Sequence, residues 1–423
     1  MILRRARAVI QITCCHGHIH TTTSHLASRD IHTSSSHLAS RDPKKQWEDF
    51  SENLRKKGGI QGWLKDKSNQ YQDKANDNKN SFKKAKQEFR EKRNKQSDGG
   101  VEGDLPGKFL AYFPTTAKFN STFDRALSKL PDGKDLLNQI PRKYWPYLRL
   151  SRVDKPIGAW LLFLPGAWGI CMAPFGAMSV HLLLLFGIGA VLMRGAGCTI
   201  NDMYDIDLDK QVIRTRDRPL ASSELTKQQA TQWLAVQLGV SSLILFSLNT
   251  QTIVLGMCSL LLVGTYPLMK RVTDFPQLYL GLTFNLGALM GYSAASGNLG
   301  LTPFALYGAG ICWTMVYDTI YAHQDKVDDL KVGVKSTALT FGDRTIQICS
   351  NFTTAMGLSL FLAGMGGGLG PTYFIASFLS CTMIMRGLSL VNLDDPKSCW
   401  EFFIMNRNIG LVILLSILMG KIF

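Results

Sequence analysis

One row of oxygen-bearing side chains follows an apolar run and has a spacing that suits metal binding. Asn201, Asp205 and Asp209 are spaced i, i+4 and i+8, so on a helix all three project from one face. Carboxylates crowded on one face repel one another, and they are costly to desolvate at the edge of a bilayer. The row therefore favours a bound cation.

A second acidic row follows a later apolar run. Asp318, Asp325 and Asp329 stand at i, i+7 and i+11, which at about 100° per residue again defines one face of a helix. Two matching rows need a cation between them, and Mg²⁺ prefers carboxylate and phosphate oxygens. We therefore expect Mg²⁺ as the cofactor. The competing interpretation, a solvated acidic loop that faces lipid headgroups, explains one such row better than it explains two.

Basic residues accompany both rows. Arg152 precedes the first apolar run, Arg214 and Arg218 follow the first acidic row, and Lys335 follows the second. Guanidinium groups bind diphosphate oxygens in a bidentate manner. Acids for Mg²⁺ beside basic residues for phosphate, at the ends of apolar helices, predict an amphiphilic diphosphate as the substrate.

Helices must position these residues, and the hydropathy pattern predicts that the helices cross a membrane. Runs of about 20 apolar residues span the hydrocarbon core of a bilayer. The predicted fold class is therefore all-α, a polytopic membrane bundle of nine transmembrane helices at 157–174, 180–199, 229–248, 252–268, 278–296, 301–321, 347–365, 371–391 and 403–422.

The distribution of charge supports this count of spans. With nine spans, the N-terminal flank and the even-numbered loops share one side of the membrane, and they carry basic residues such as Arg152, Lys210, Lys270, Lys335 and Lys397. The predicted odd-numbered loops contain neither Lys nor Arg. This asymmetry follows the positive-inside rule. One miscounted helix would distribute the basic loops over both sides of the membrane. Both acidic rows lie on the basic side.

The chain before the bundle has a different composition. Residues 1–42 are rich in Arg, Ser and Thr, contain no acid before Asp30 and include a duplicated polar segment, a composition typical of a mitochondrial transit peptide. Residues 43–143 are predicted to be a charged linker and an interfacial segment, and the stretch from Lys44 to Gln96 has too little apolar surface to fold alone. We expect a disordered N-terminal extension and a membrane domain at 144–423, placed in the mitochondrial inner membrane with the basic side facing the matrix.

Composition disfavours two other kinds of site. Much of the formal charge of +15 lies in the hydrophilic N-terminal part, mixed with Glu and without base-stacking aromatics, so nucleic acid is not expected as a partner. The nine cysteines are scattered without a C-x-x-C pair, which indicates neither a disulfide framework nor a zinc site.

The motifs at these positions resemble those of the UbiA-type prenyltransferases, a family of intramembrane enzymes with nine helices. The resemblance rests on an Asn-Asp-x-x-Asp-x-x-x-Asp motif that begins at Asn201 and a Tyr-Asp-Thr-x-Tyr-Ala-x-x-Asp motif that begins at Tyr317. Further matching stretches lie at 152–160, 214–219, 266–271 and 281–285. The resemblance covers residues 144–423 and leaves the preceding part of the chain uncovered.

The resemblance implies Mg²⁺-dependent transfer of a polyprenyl chain from polyprenyl diphosphate to 4-hydroxybenzoate, at the ring carbon ortho to the hydroxyl, early in ubiquinone biosynthesis. Both acidic rows would hold Mg²⁺ and diphosphate, and Lys270 or Arg271 would meet the carboxylate of the acceptor. The lipid bilayer and other enzymes of ubiquinone biosynthesis are the remaining expected partners. The groups expected to contact phosphate are Arg152, Arg214, Arg218 and Lys335, and those expected to be catalytic are Asp205, Asp318, Asp325 and Asp329.

Two alternatives remain open from the sequence. A prenyltransferase for another aromatic acceptor would use the same diphosphate machinery. A transporter would also have many spans and intramembrane acids, but transporter sites usually lie near the bilayer midplane on broken helices. The acids of this chain stand at predicted helix ends beside arginines suited to phosphate, which favours the enzyme.

Overall fold

The structure is a computed structural model of the chain, and it describes residues 110, 112–127, 138–174, 180–210, 215–326, 329–330 and 333–423. Every regular element in these residues is a helix. The predicted transit peptide, the duplicated segment and most of the predicted linker lie outside the described residues.

Thirteen α-helices can be followed through the described ranges, and nine of them are long. Those nine are α3, α4, α6 to α9 and α11 to α13, and each overlaps one predicted span. In chain order the helices are α1 (Thr116–Leu127), α2 (Trp145–Leu150), α3 (Ile157–Met172), α4 (Val180–Tyr204), α5 (Ile206–Asp209), α6 (Lys227–Phe246), α7 (Thr250–Val272), α8 (Pro276–Ser296), α9 (Leu301–Ala322), α10 (Thr337–Phe341), α11 (Thr345–Gly366), α12 (Pro371–Leu390) and α13 (Pro396–Ile422).

Several of these helices are suited to a bilayer. Within the described residues, five segments are long and apolar enough to cross a membrane, namely α4, α7, α10 together with α11, α12 and α13. Helix α3 is apolar but has only 16 residues. Large apolar side chains such as Leu184, Leu243, Leu261 and Phe361 are exposed on the surface of the bundle. Contact with lipid accounts for so much exposed apolar surface.

Five of the long helices, α6, α7, α8, α11 and α13, begin earlier than hydropathy predicted. In α6 and α13 the first turns are polar and capped. Helix α6 begins with a capping box in which the Thr226 hydroxyl accepts from the Gln229 amide and the Gln229 side chain accepts from the Thr226 amide. Helix α13 begins at Pro396, where the side chain of Asp395 accepts from the Lys397 amide at 3.1 Å. Such caps satisfy the free amides of a first turn. The apolar run therefore predicts the span but not the start of the helix.

Buried aromatic residues fix α3, α9 and α13 against one another. The Trp168 and Trp313 rings are 5.0 Å apart, and Trp168 Nε1 donates to the Gly410 carbonyl oxygen at 2.9 Å. Trp313 Nε1 donates to Asn406 Oδ1 at 3.1 Å. Inside a membrane bundle such hydrogen bonds satisfy polar groups that lipid cannot. They fix the rotation of α9 about its axis, and with it the position of Asp318 from the second acidic row.

Candidate active site

A cavity of about 650 Å³ lies among α3, α4, α6, α7, α8 and α9. Apolar side chains such as Phe186, Leu245, Leu260 and Met290 form much of its wall. Asn201 from the first acidic row and Asp318 and Asp325 from the second line this same cavity. The basic side chains in its wall are Arg152, Arg194, Arg218 and Lys270.

The first acidic row crosses a bend in the backbone. Helix α4 ends at Tyr204, so the row is not carried by one continuous helix as predicted. The helical hydrogen-bond spacing nevertheless continues, because the Asp205 amide donates to the Asn201 carbonyl oxygen at 3.0 Å and the Asp209 amide donates to the Asp205 carbonyl oxygen at 2.8 Å. The i, i+4, i+8 register is therefore kept across the bend.

Asp202, which the spacing argument passed over, connects two of the arginines. Its carboxylate is almost completely buried, at 1% exposed, and accepts hydrogen bonds from Arg152 Nη2 at 2.8 and 2.7 Å and from Arg218 Nη1 at 3.0 Å. Arg218 Nη1 also donates to the carboxylate of Asp209 at 2.8 Å. Arg152 and Arg218 thus line the cavity while they hold the carboxylates of the first acidic motif in place.

In this network, burial and ion pairing have opposite effects on the pKa of Arg152 and on that of Asp209. Burial is the largest single effect on Arg152 and disfavours its charged form, but the charge and hydrogen bonds of Asp202, together with other neighbouring groups such as Asp154, outweigh it, so the pKa of Arg152 is raised above its ordinary value. Burial also raises the pKa of Asp209, and the contact with Arg218 only partly offsets it. The network therefore keeps Arg152 charged while it makes a charge on Asp209 costly.

The segment before α3 places Arg152 through an unusual backbone conformation. Arg152 has φ +58°, in the left-handed region that non-glycine residues rarely adopt. The preceding residue, Ser151, is anchored to α6, because its Oγ accepts from Trp233 Nε1 at 2.8 Å and from Gln237 Nε2 at 2.9 Å. A buried contact with a neighbouring helix thus stabilises the turn from which Arg152 reaches Asp202.

The second acidic row leaves α9 and continues through a turn. Asp318 lies in the last helical turns of α9, and Asp325 follows the end of the helix at Ala322. The Asp329 amide donates to the Asp325 carbonyl oxygen at 2.8 Å. His323, between them, is buried, and its Nε2 contacts Thr345 Oγ1 at 3.2 Å. Desolvation by burial is the main cause that lowers the pKa of His323 to about 4, so its imidazole is neutral at physiological pH.

The chain after the second row folds back onto the end of α7. The Lys335 amide donates to the Lys270 carbonyl oxygen at 3.0 Å, and Lys335 Nζ pairs with Asp274 Oδ1 at 3.0 Å. Nearby, Arg271 Nη2 lies 3.6 Å from Asp205 Oδ1. The charged groups of Lys335 and Arg271 are therefore engaged by carboxylates.

The structure brings some of the predicted site residues together and leaves others aside. Among the described residues, the cavity lining contains Arg152, Arg218, Lys270, Asn201, Asp318 and Asp325, but it lacks Asp205, Asp209, Asp329, Arg271 and Lys335. Arg214 lies outside the described residues. The lining also contains Asp202 and Arg194, which we did not predict. The signal for Arg194 was its position inside an apolar run, where a charged residue is usually functional.

The donor groups fit a cation that shares its ligands with a bound phosphate. Among the Asp, Glu, His and Cys side chains in the described ranges, no three converge into a metal site by themselves. Asn201 Oδ1 is buried without a hydrogen-bond partner in the described part of the chain, and Asp318 and Asp325 line the same cavity. Mg²⁺ is commonly held by a few protein oxygens together with substrate phosphates. Asn201, Asp318 and Asp325 would be its ligands.

The fold and the site define a class, a helical membrane protein whose apolar cavity carries carboxylates and basic groups. Residues 162–410 match the model of the UbiA prenyltransferase family. The chain belongs to this family. It is 50% identical over 298 residues to the mitochondrial 4-hydroxybenzoate polyprenyltransferase of Aedes aegypti, which covers 70% of this chain and 67% of that protein. The protein of the same name from Homo sapiens is 47% identical over 290 residues, which covers 68% of this chain and 78% of that protein.

Solved structures share the fold. A UbiA homolog from Aeropyrum pernix K1 in its apo form aligns with a TM-score of 0.50 at 24% identity, covering 62% of this chain and 96% of that chain. A UbiA homolog from Archaeoglobus fulgidus bound to GPP and Mg²⁺ aligns with a TM-score of 0.50 at 18% identity, covering 64% of this chain and 99% of that chain. The predicted all-α, UbiA-like fold is confirmed.

Proposed function

We propose that this protein transfers a polyprenyl chain from polyprenyl diphosphate to 4-hydroxybenzoate, at the ring carbon ortho to the hydroxyl. The observation that carries the proposal is one apolar cavity lined by Asn201 from α4 and by Asp318 and Asp325 from α9 and the turn after it. The relatives with about half of their residues identical to this chain bear the name 4-hydroxybenzoate polyprenyltransferase, which supports this acceptor over other aromatic rings.

Mg²⁺ is the proposed cofactor. The Archaeoglobus fulgidus homolog with this fold was solved with GPP and Mg²⁺, and the oxygen donors of this cavity suit the same ion. When bound, Mg²⁺ supplies charge neutralisation for a departing diphosphate. Asn201, Asp318 and Asp325 would hold it, with Asp205, Asp209 and Asp329 as further candidates near the two rows.

The chain's own groups account for the remaining steps of the reaction. Arg152 and Arg218 bind and orient the diphosphate, so that the bond between the first prenyl carbon and oxygen breaks with charge building up on phosphate. Lys270, which also lines the cavity, would meet the carboxylate of the acceptor. The apolar wall excludes water from the allylic cation. The ring carbon of the acceptor then forms the new carbon–carbon bond. A carboxylate or a water molecule accepts the ring proton.

The proposed setting is the mitochondrial inner membrane, with all nine long helices crossing it and the site facing the matrix. The relatives are named as mitochondrial proteins. Basic residues cluster on the predicted side that carries Asn201 and Asp325, which supports this orientation through the positive-inside rule. A cleaved leader within residues 1–42 and association with other enzymes of ubiquinone biosynthesis belong to the same proposal.

A transfer assay tests the function directly. Membranes that contain the protein are incubated with radiolabelled 4-hydroxybenzoate, polyprenyl diphosphates of several lengths and Mg²⁺, and a lipid-soluble labelled product is extracted. We expect product with Mg²⁺ and none with EDTA. We also expect the Asp205→Asn and Asp325→Asn variants to insert into the membrane but to form no product. Near-normal turnover by Asp325→Asn would overturn the site, and inactive wild-type protein under all conditions would overturn the function.

A further inference from the structure

Helix α1 contacts the bundle although it precedes the region that matches the family model. It spans Thr116–Leu127, whereas that region begins at residue 162. Asn120, near the middle of the helix, is buried. Its Nδ2 donates to the Glu401 carbonyl oxygen at 2.9 Å, and its Oδ1 accepts from Asn408 Nδ2 at 3.0 Å. One side-chain amide thus joins α1 to two points on α13 that lie two helical turns apart.

The polar face of α13 is satisfied by α1. Asn408 lies within the predicted ninth span and is fully buried. Its Oδ1 accepts from Arg407 Nη2 at 2.7 Å, and its Nδ2 donates to Asn120. A buried amide that lacks a partner is costly in a membrane bundle, because lipid offers no hydrogen bond in exchange. Helix α1 therefore completes α13 and belongs to the same folded unit as the bundle.

The opposite face of α13 packs against the end of α9. At about 100° per residue, Glu401 and Asn408 share one face of α13, and Phe403 lies nearly opposite them. The Phe403 ring centroid is 4.6 Å from that of Tyr321, and Tyr321 lines the cavity. The first half of α13 is therefore held between α1 on one side and a residue of the cavity wall on the other.

We infer that α1 positions the second acidic row and that Asn120 is a positioning residue for the reaction. This role rests on the proposed prenyl transfer. Tyr321 lies between Asp318 and Asp325 in the chain, and all three line the cavity. Release of α1 leaves the first half of α13 without its outer support, so that the ring of Phe403 no longer holds Tyr321 in place. The carboxylates on either side of Tyr321 then lose their fixed positions.

Hydrogen exchange followed by mass spectrometry reports directly on the end of α9. In Asn120→Ala, we expect the amides of residues 317–325 to exchange at least about threefold faster than in the wild type, because a loosened α13 no longer supports them. Ser121→Ala is the matched control, since Ser121 is exposed on the same helix, and its exchange should equal that of the wild type. Unchanged exchange in Asn120→Ala would overturn the role of α1.

The dependence of prenyl transfer on Mg²⁺ gives a second readout. Asp318 and Asp325 are proposed to hold Mg²⁺, so Asn120→Ala should raise the Mg²⁺ concentration that gives half the maximal rate at least about threefold, because displaced ligands bind less well. Ser121→Ala should leave that concentration unchanged. A role of α1 in folding alone would lower the yield of folded protein without changing the Mg²⁺ dependence of the folded fraction, and that result would overturn the positioning role.

Two further variants release α1 by other means. Asn408→Ala removes the same hydrogen bond from the side of α13, so the double variant with Asn120→Ala should show no larger effect than the stronger single variant. Phe119→Ala weakens the apolar packing of α1 on the bundle without leaving an amide unpaired. It should change the exchange of residues 317–325 and the Mg²⁺ dependence in the same direction. If Asn120→Ala fails to fold, Phe119→Ala decides, and wild-type values in it would overturn the role of α1.

The two readouts separate the role of α1 from the function on which it rests. Exchange of residues 317–325 is measured without substrate, so it tests the support of α9 by α1 whatever the reaction is. A wild type that transfers no prenyl chain would overturn the proposed function. Prenyl transfer by the wild type, together with wild-type exchange and Mg²⁺ dependence in Asn120→Ala, would overturn the role of α1 alone.

Discussion

Arg152 donates hydrogen bonds to both carboxylate oxygens of Asp202, at 2.8 and 2.7 Å, from a backbone whose φ is +58°. A left-handed conformation at a non-glycine residue costs about 1 kcal/mol or more. The buried ion pair and the hydrogen bonds around it must offset that cost. The pair therefore joins the segment before α3 to the end of α4, where the first acidic motif begins.

The Asp202→Asn variant tests whether this pair stabilises the fold. The substitution keeps the shape of the side chain but removes the carboxylate that pairs with Arg152, and it leaves Arg218 with the carboxylate of Asp209 alone. Removing one partner of a buried ion pair costs about 3 kcal/mol or more, so we expect a clearly lower thermal midpoint in detergent and little prenyl transfer. Asp207→Asn is the control, since the Asp207 side chain is 95% exposed. Equal midpoints for the two variants would contradict the role of Asp202.

The backbone of Arg152 can be tested separately from its side chain. Arg152→Gly and Arg152→Ala both remove the guanidinium, but only glycine adopts a positive φ without strain. We expect both variants to lose activity and the glycine variant to be more stable by about 1 kcal/mol. The measurement is chemical or thermal unfolding of the two purified variants. A more stable alanine variant would show that φ is not constrained at this position.

Gln237 is predicted to act on the substrate site from a neighbouring helix. Its amide holds Ser151, the residue before Arg152, so Gln237→Leu should lower stability by about 1 to 3 kcal/mol. It should also raise KM for the prenyl diphosphate more than KM for the acceptor. Gln232→Leu, on the exposed face of the same helix, should change neither quantity. Unchanged KM values in Gln237→Leu would show that the hydrogen bond between Gln237 and Ser151 does not affect substrate binding.

The proposed orientation predicts which loops a membrane-impermeant thiol reagent can reach. A cysteine at Asn298, between α8 and α9, should react in mitoplasts, whereas a cysteine at Asp394, between α12 and α13, should react only after permeabilisation. The unsubstituted protein measures background labelling of the existing cysteines. The opposite pattern would place the acidic rows on the outer side of the inner membrane.

The periodicity of the sequence predicted part of the site, because the face of a helix on which a residue lies depends only on local geometry. The apolar runs predicted all nine long helices. The spacing of the rows predicted that all six of their residues face a common place. Among the described residues, Asn201, Asp318 and Asp325 line the cavity, whereas Asp205, Asp209 and Asp329 do not. These predictions needed only the helical repeat and the alignment of helix ends in a bilayer. The polar first turns of α6 and α13 were missed, since hydropathy does not detect capping residues such as Thr226 and Asp395.

The pairing of the charged residues could not be predicted in the same way. Asp202 lies about 100° around the helix from Asn201, and only the folded segment before α3 brings Arg152 to it. The pairing of Lys335 with Asp274 likewise depends on the return of the chain onto α7. Such contacts join residues that are far apart in sequence. Neither secondary-structure propensity nor the spacing of residues along a helix predicts them.

Binding of a prenyl diphosphate analogue at several Mg²⁺ concentrations tests most directly whether both rows serve one ion. Asn201→Ala, Asp325→Asn and the double variant are compared with the wild type by calorimetry. Each single variant should weaken Mg²⁺-dependent binding at least about tenfold, and the double variant should be weaker than either by no more than about threefold, because groups that share one ligand are not additive. Losses that multiply to about a hundredfold or more would show two independent sites and would contradict the shared ion.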